Sequence, residues 1–181
     1  FLEQPINKKH ANCFLVISPA GCGKTNLACH LAETRQIVQP VFFFLANNMR
    51  INPTGGILAT IEEEINKPFQ KNMSSMSAHL TVNELSSYFA DGILVLIDGI
   101  NEYHDPAEMK RSLQEVLARA SDENIKFIIT VRDYYWGYFD GTFWDNYTKM
   151  SSSEDYSKRS TKKRLSNYIY KEYEVAITKY L

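Results

Sequence analysis

The sequence predicts an α/β protein, a three-layer sandwich of helices around a mainly parallel sheet. Three observations carry this: four short apolar runs with no polar alternation, helical periodicity between them, and a glycine-rich loop directly after the first run. A strand buried on both faces reads as a continuous apolar stretch, and parallel neighbours need crossover connections, which helices supply.

Taken in order, residues 1–12 are polar and unpatterned, and Cys13 to Ile17 form the first buried strand. Leu27, Ala28 and Leu31 give the next segment a helical stripe, and Val41 to Leu45 read as a second strand. Leu58, Ile61 and Ile65 follow Ile57 at helical spacing; Thr81 with Glu84 makes a capping box leading into Leu85, Tyr88 and Phe89. The third strand is Ile93 to Ile97. Asp105 as cap, Pro106 at the first helical position and Glu108 announce a helix with Met109, Leu113, Val116, Leu117 and Ala120 on its apolar face. Phe127 to Val131 are the fourth strand. Beyond it, Tyr134 to Tyr147 read as an irregular aromatic stretch and Lys149 to Thr161 as a polar, serine-rich loop. A fifth strand is expected over Leu165 to Tyr170, and a closing helix from Tyr173, Ala176, Ile177 and Tyr180. There is no internal repeat.

The chain has 181 residues, 44% of them apolar, enough for one core, so residues 1–181 are expected to form a single domain. It opens at Phe1, which suggests a piece of a longer multidomain protein. Twenty basic and 21 acidic residues leave a net charge of −1, which argues against a surface built for nucleic acid. Cys13, Cys22 and Cys29 form no CxxC pair, and a disulfide at Cys22 would disturb the glycine-rich loop; a reducing, cytoplasmic setting is expected. No apolar run approaches the ~20 residues that span a bilayer, so no membrane partner is expected.

The loop itself carries the chemistry. Ser18, Pro19, Ala20, Gly21, Cys22, Gly23, Lys24 and Thr25, followed by Asn26, form a Walker A sequence with serine in place of its first glycine. Backbone N–H groups must turn inward to cradle phosphates, so small residues are needed where side chains would intrude. Lys24 is the expected partner of the β- and γ-phosphates and Thr25 of Mg2+. The third strand runs into Asp98, expected beside the loop strand as the second Mg2+ residue, and Glu102 is placed to orient and deprotonate water. The fourth strand ends in Arg132, whose forked guanidinium suits a γ-phosphate; pairing with Asp133 is the plainer alternative. Lys24, Asp98, Glu102 and Arg132 are therefore the expected catalytic set, with ATP or ADP and Mg2+ as cofactors.

Other candidates read as structural. His10, His30, His79 and His104 share no metal-ligand spacing with the cysteines. Lys158, Arg159, Lys162, Lys163 and Arg164 are not interleaved with aromatics and read as solvated charge. The aromatics from Tyr134 to Trp144 fit a recognition surface or local packing equally well.

Walker A, a strand, an Asp-tipped strand and an Arg-tipped strand is the order of additional-strand P-loop NTPases. Ile97, Asp98, Gly99, Ile100, Asn101 and Glu102, with Thr130, Val131 and Arg132, resemble the STAND NTPases, particularly their NACHT-type members. Asn101 stands where that family carries a second acid, which bears on hydrolysis more than on binding. The resemblance implies a nucleotide switch that exchanges ADP for ATP and self-associates, in antiviral defence or innate immunity, with effector and sensor domains in the same longer chain. Three other functions fit less fully: a nucleotide-locked scaffold without turnover, an AAA+ motor acting on nucleic acid or protein, and a small-molecule kinase. Guanine specificity is disfavoured because no Asn-Lys-x-Asp follows the fourth strand.

Overall fold

The apolar runs become strands because each can bury both faces only inside a sheet. The computed structural model describes residues 12–70, 79–120, 124–139, 148–152 and 177. Its elements in chain order are β1 (Cys13–Ser18), α1 (Lys24–Arg35), β2 (Val41–Leu45), α2 (Gly56–Gln70), α3 (Val82–Ser87), β3 (Ile93–Asp98), α4 (Pro106–Ala120), β4 (Ile125–Arg132), α5 (Asp133–Phe139) and β5 (Thr148–Ser152). The five strands form one sheet in the order β2-β3-β4-β1-β5, and every pairing is parallel.

Side-chain alternation splits the core into two layers. Cys13, Leu15 and Ile17 of β1 face the side covered by α2, α3 and α4, together with Val95, Ile97, Phe127 and Ile129. Phe14 and Val16 face the other side, where Leu27 and Leu31 of α1 meet Leu94, Leu96 and Ile128. Helices on both faces of a parallel sheet make the predicted three-layer α/β sandwich. The strand order, with β4 inserted between β1 and β3, is that of the additional-strand P-loop NTPase fold.

The predicted helices hold where their apolar stripes were strongest. In α4 the expected face, Met109, Leu113, Val116, Leu117 and Ala120, is fully buried. The Asp105 carboxylate accepts from the N–H groups of Ala107 and Glu108 as an N-cap. The Thr81–Glu84 capping box closes on both sides, at 3.2 Å and 2.8 Å. That helix stops at Ser87, however, and Tyr88, counted on its apolar face, is exposed.

Two expectations are corrected. Residues 149–152, read as the start of a polar loop, belong to a strand, Thr148–Ser152, paired with β1 from Cys13↔Thr148 to Ile17↔Ser152. Its polar sequence gave no strand signal, because an edge position is held by backbone pairing as much as by apolar side chains. Residues 134–139, read as irregular, lie in a helix, Asp133–Phe139. Its aromatics and Gly137 have poor helix propensity, and packing overrides that: Tyr135 lies against the core on the α4 side. Residues 140–147, the strand expected over Leu165 to Tyr170 and most of the closing helix lie outside the described residues. Ile177 is the exception: it is helical and fully buried against the α1 layer.

Leu113, with no exposed surface, sits at the centre of the α4 stripe. Leu113→Ala is expected to cost about 3 kcal/mol of unfolding free energy, the usual cost of a leucine-sized core cavity, read from the shift in a urea denaturation midpoint. A loss under about 1 kcal/mol would contradict the packing described.

Candidate functional site

The parallel register brings the C-terminal tips of β1, β3 and β4 to one edge of the sheet. Ser18 lies opposite Arg132, and Asp98 and Thr130 follow one step beyond the Ile97–Ile129 pair. Between β1 and α1 the chain turns through Gly21 and Gly23, at φ 78° and 81°, a left-handed backbone that favours glycine. A Cβ at either position would meet nothing within 4 Å, so backbone conformation and not space selects glycine here. Gly23 caps α1 without a side-chain bond, and the first turn of α1 holds no acidic residue. The first N–H groups of that helix lack intrahelical partners and carry its positive end, which suits an anion.

Lys24 folds over the loop, its Nζ donating to the carbonyls of Ser18 and Pro19, both at 2.8 Å. Burial pulls its ammonium below the ordinary lysine range, and Arg132 pushes the same way, while Cys22, Asp98 and Asp133 oppose the shift. A phosphate placed against it would favour the charged form.

Asp98 is the hub of the site. It is 8% exposed; its Oδ2 accepts from Thr25 Oγ1 at 2.7 Å and its Oδ1 from Thr130 Oγ1 at 2.5 Å. Thr130 Oγ1 in turn accepts from the Gly99 N–H at 2.9 Å, which fixes the turn leaving β3. Gly99 takes φ 71°, and the Glu102 N–H closes the turn on its carbonyl at 2.7 Å. The turn delivers Glu102, whose Oε1 accepts from Arg132 Nη2 at 2.7 Å. Asn101 Oδ1 accepts from the backbone N–H of Arg132 at 3.1 Å. The Tyr134 hydroxyl, and after it the Glu102 carboxylate, hold the Arg132 guanidinium above its ordinary range.

These side chains line a single cleft of about 330 Å³. Of the sequence candidates, Ala20, Gly21, Gly23, Lys24, Thr25, Asn26, Asp98, Glu102 and Arg132 face it. Ser18 and Pro19 take part through their carbonyls to Lys24, and Cys22 is not among the lining residues. One placement is corrected: β3 does not lie beside the loop strand, because β4 stands between them. Asp98 therefore reaches Thr25 across the tip of β4, and Thr130 on that strand supports it. Sequence reasoning missed Thr130 as a contributor; its signal was a hydroxyl interrupting the apolar run Phe127 to Val131.

His30, His79 and His104 do not line the cleft. Among the described residues, no group of three or more His, Cys, Asp or Glu side chains is placed to hold a metal. All three cysteines are free, and burial drives the Cys13 thiol far above its ordinary range. Among the described residues no helix is long and apolar enough to cross a membrane. The basic run from Lys158 to Arg164 lies outside the described residues.

No family model matches the chain, and no curated protein matches it in sequence. Solved structures similar to it include the cytoplasmic domain of the Thermomonospora curvata type VII secretion ATPase EccC, at 14% identity and a TM-score of 0.46 over 80% of this chain and 20% of that one. Another is a Drosophila ORC structure bound to AT-rich DNA and Cdc6, at 12% identity and a TM-score of 0.48 over 78% of this chain and 48% of that one. A third, described as an ATPase, matches at 15% identity and a TM-score of 0.40, over 71% of this chain and 58% of that one. The chain thus spans 20% to 58% of the length of these structures. The fold is established by the strand order and loop geometry of the chain itself.

Thr130 is 2% exposed and serves two partners. Thr130→Val keeps its shape and leaves the Gly99 N–H and one Asp98 oxygen unpaired, so a loss of about 1–3 kcal/mol is expected in urea denaturation. Unchanged stability would mean that the clamp is not a structural element.

Proposed function

We propose that this chain binds ATP with Mg2+ and hydrolyses it slowly, acting as a nucleotide-dependent switch within a longer cytoplasmic protein. One observation carries the reading. Thr25 and Asp98, 73 positions apart, are hydrogen-bonded at 2.7 Å in the cleft that also holds Lys24 and the left-handed glycine turn.

The residues present fit these ligands. Mg2+ characteristically takes one or two protein oxygens and fills its remaining positions with phosphate and water, so a hydroxyl and a carboxylate in contact are a suitable donor pair. When bound, Mg2+ neutralises charge on the phosphate oxygens. The chain's own groups supply the rest. The α1 N-terminus and the loop N–H groups bind the phosphates, and Lys24 exchanges its two loop carbonyls for phosphate oxygens. Arg132 meets the γ-phosphate with its forked donors. Glu102 orients a water and accepts its proton as the oxygen attacks phosphorus; ADP departs with the bridging oxygen and phosphate is released.

The Arg132–Glu102 pair supports slow turnover and a switch. With its carboxylate engaged by a guanidinium, Glu102 is not free to receive a water, and drawing Arg132 onto a γ-phosphate releases it. Both side chains are partly exposed, so solvent screens the pair and it is readily exchanged. Self-association on ATP binding, together with effector and sensor domains elsewhere in the chain, completes the STAND/NACHT-like reading. The strand order fits an AAA+ motor equally well. Turnover stimulated by added DNA or an unfolded protein would favour the motor; ATP-dependent growth in mass by light scattering would favour the switch.

Two substitutions test the assignment. Lys24→Ala is expected to weaken ATP binding at least about tenfold, since it removes a charge-assisted phosphate bond; undiminished affinity by calorimetry would refute the loop's role. Glu102→Gln is expected to keep ATP affinity while phosphate release falls by about 10²- to 10⁴-fold, the usual loss when a general base is removed. Loss of binding and turnover together would make Glu102 structural instead.

A further inference from the structure

The turn that leaves β3 carries one more polar side chain before Glu102. Asn101 occupies the position where a second acid was expected, and its Oδ1 accepts from the Arg132 backbone N–H at 3.1 Å. That bond joins the turn after β3 to the tip of β4. Two further bonds join the same segments: Gly99 N–H to Thr130 Oγ1 at 2.9 Å, and Arg132 Nη2 to Glu102 Oε1 at 2.7 Å. The Thr130 bond fixes the start of the turn, and the Asn101 bond fixes the residue that carries the guanidinium.

We propose that Asn101 is a positioning residue that sets Arg132, and through it Glu102, by supplying a neutral hydrogen-bond acceptor to the Arg132 backbone. The inference rests on the ATPase reading above. The chemical requirement at this position is an acceptor oxygen and not a negative charge, which a carboxamide meets as well as a carboxylate does. The amide has a further advantage in this place. Asp98 and Glu102 already put two carboxylates in a cleft that is to receive a polyanion, and a third would repel it. A side chain at position 101 without an acceptor leaves the Arg132 N–H unpaired and removes the bond that ties Arg132 to the turn after β3. The guanidinium then loses its fixed approach to Glu102 and to a γ-phosphate, and displacements of about 1 Å at such groups cost about a hundredfold in rate.

The test compares Asn101→Ala, Asn101→Leu and Asn101→Asp with the wild-type chain. It measures ATP and ADP affinities by calorimetry with Mg2+, steady-state phosphate release, and the thermal unfolding midpoint. For the alanine and leucine variants we expect an ADP affinity close to wild type. We expect ATP's advantage over ADP to fall about tenfold, the worth of a charge-assisted bond from Arg132 to the γ-phosphate, and kcat to fall about a hundredfold. Asn101→Asp, which keeps the acceptor, is expected to restore most of kcat at weaker affinity for both nucleotides. A merely structural role would lower the unfolding midpoint and both affinities together, leaving their ratio unchanged, and that result would overturn the proposal. So would wild-type kcat and ATP preference in the alanine variant, which is small enough to fold if the leucine variant does not. If the wild-type chain itself neither binds nor hydrolyses ATP, the ATPase reading fails and takes this inference with it. A binding, hydrolysing wild type beside an unaffected alanine variant removes the role of Asn101 alone.

Discussion

The site depends on one nearly buried carboxylate held from both sides. A charged group at the end of an apolar strand is tolerated only if its oxygens are satisfied, and Asp98 meets this with Thr25 on one oxygen and Thr130 on the other. The two threonines come from the helix after β1 and from β4, so this small network ties three segments of the chain at the sheet edge. Once Asp98 is fixed, Gly99 can leave the strand in a left-handed turn, and that turn decides where Asn101 and Glu102 stand.

The insertion of β4 between β1 and β3 gives this arrangement its reach. If β3 lay against β1, Asp98 would neighbour the loop directly, and no residue of another strand would separate them. With β4 in between, its tip contributes Thr130, bonded to the carboxylate, and Arg132 two residues on, and both register with the loop strand, Val16 with Thr130 and Ser18 with Arg132. The hydroxyl that holds Asp98 and the guanidinium that meets Glu102 thereby share one strand. A displacement of the β4 tip would be felt at once by Asp98, Asn101 and Glu102, which is the physical content of the switch proposed above.

Much of this was legible in the sequence, because the strongest signals were local. The runs Cys13 to Ile17, Ile93 to Ile97 and Phe127 to Val131 are apolar enough to admit only buried strands, and the α4 stripe is fully buried as its spacing implied. Lys24, Thr25, Asp98, Glu102 and Arg132 were each marked by position at a strand tip or in the loop. What stayed hidden is non-local. The place of β4 is set by pairing between distant segments; β5 is held at the sheet edge by backbone bonds to β1 that its polar side chains do not announce. The helix Asp133–Phe139 forms against tertiary contacts that outweigh its weak propensity. Thr130 and Asn101 stood in the motifs, Asn101 marked only for the acid it replaces, but their bonding roles were not legible, because neither is charged and each gains its role from a partner about thirty positions away, at separations of 32 and 31.

If Thr25 and Asp98 form the metal side of a nucleotide site, as proposed, ATP binding must depend on the metal. ATP should be titrated calorimetrically into the purified chain, stripped of any bound nucleotide, once with Mg2+ and once with EDTA. Binding is expected with Mg2+, with an affinity at least about tenfold weaker in EDTA, the loss of a charge-assisted contact. Equal affinity in both would contradict the role given to Thr25 and Asp98, and no binding in either would contradict the nucleotide site as a whole.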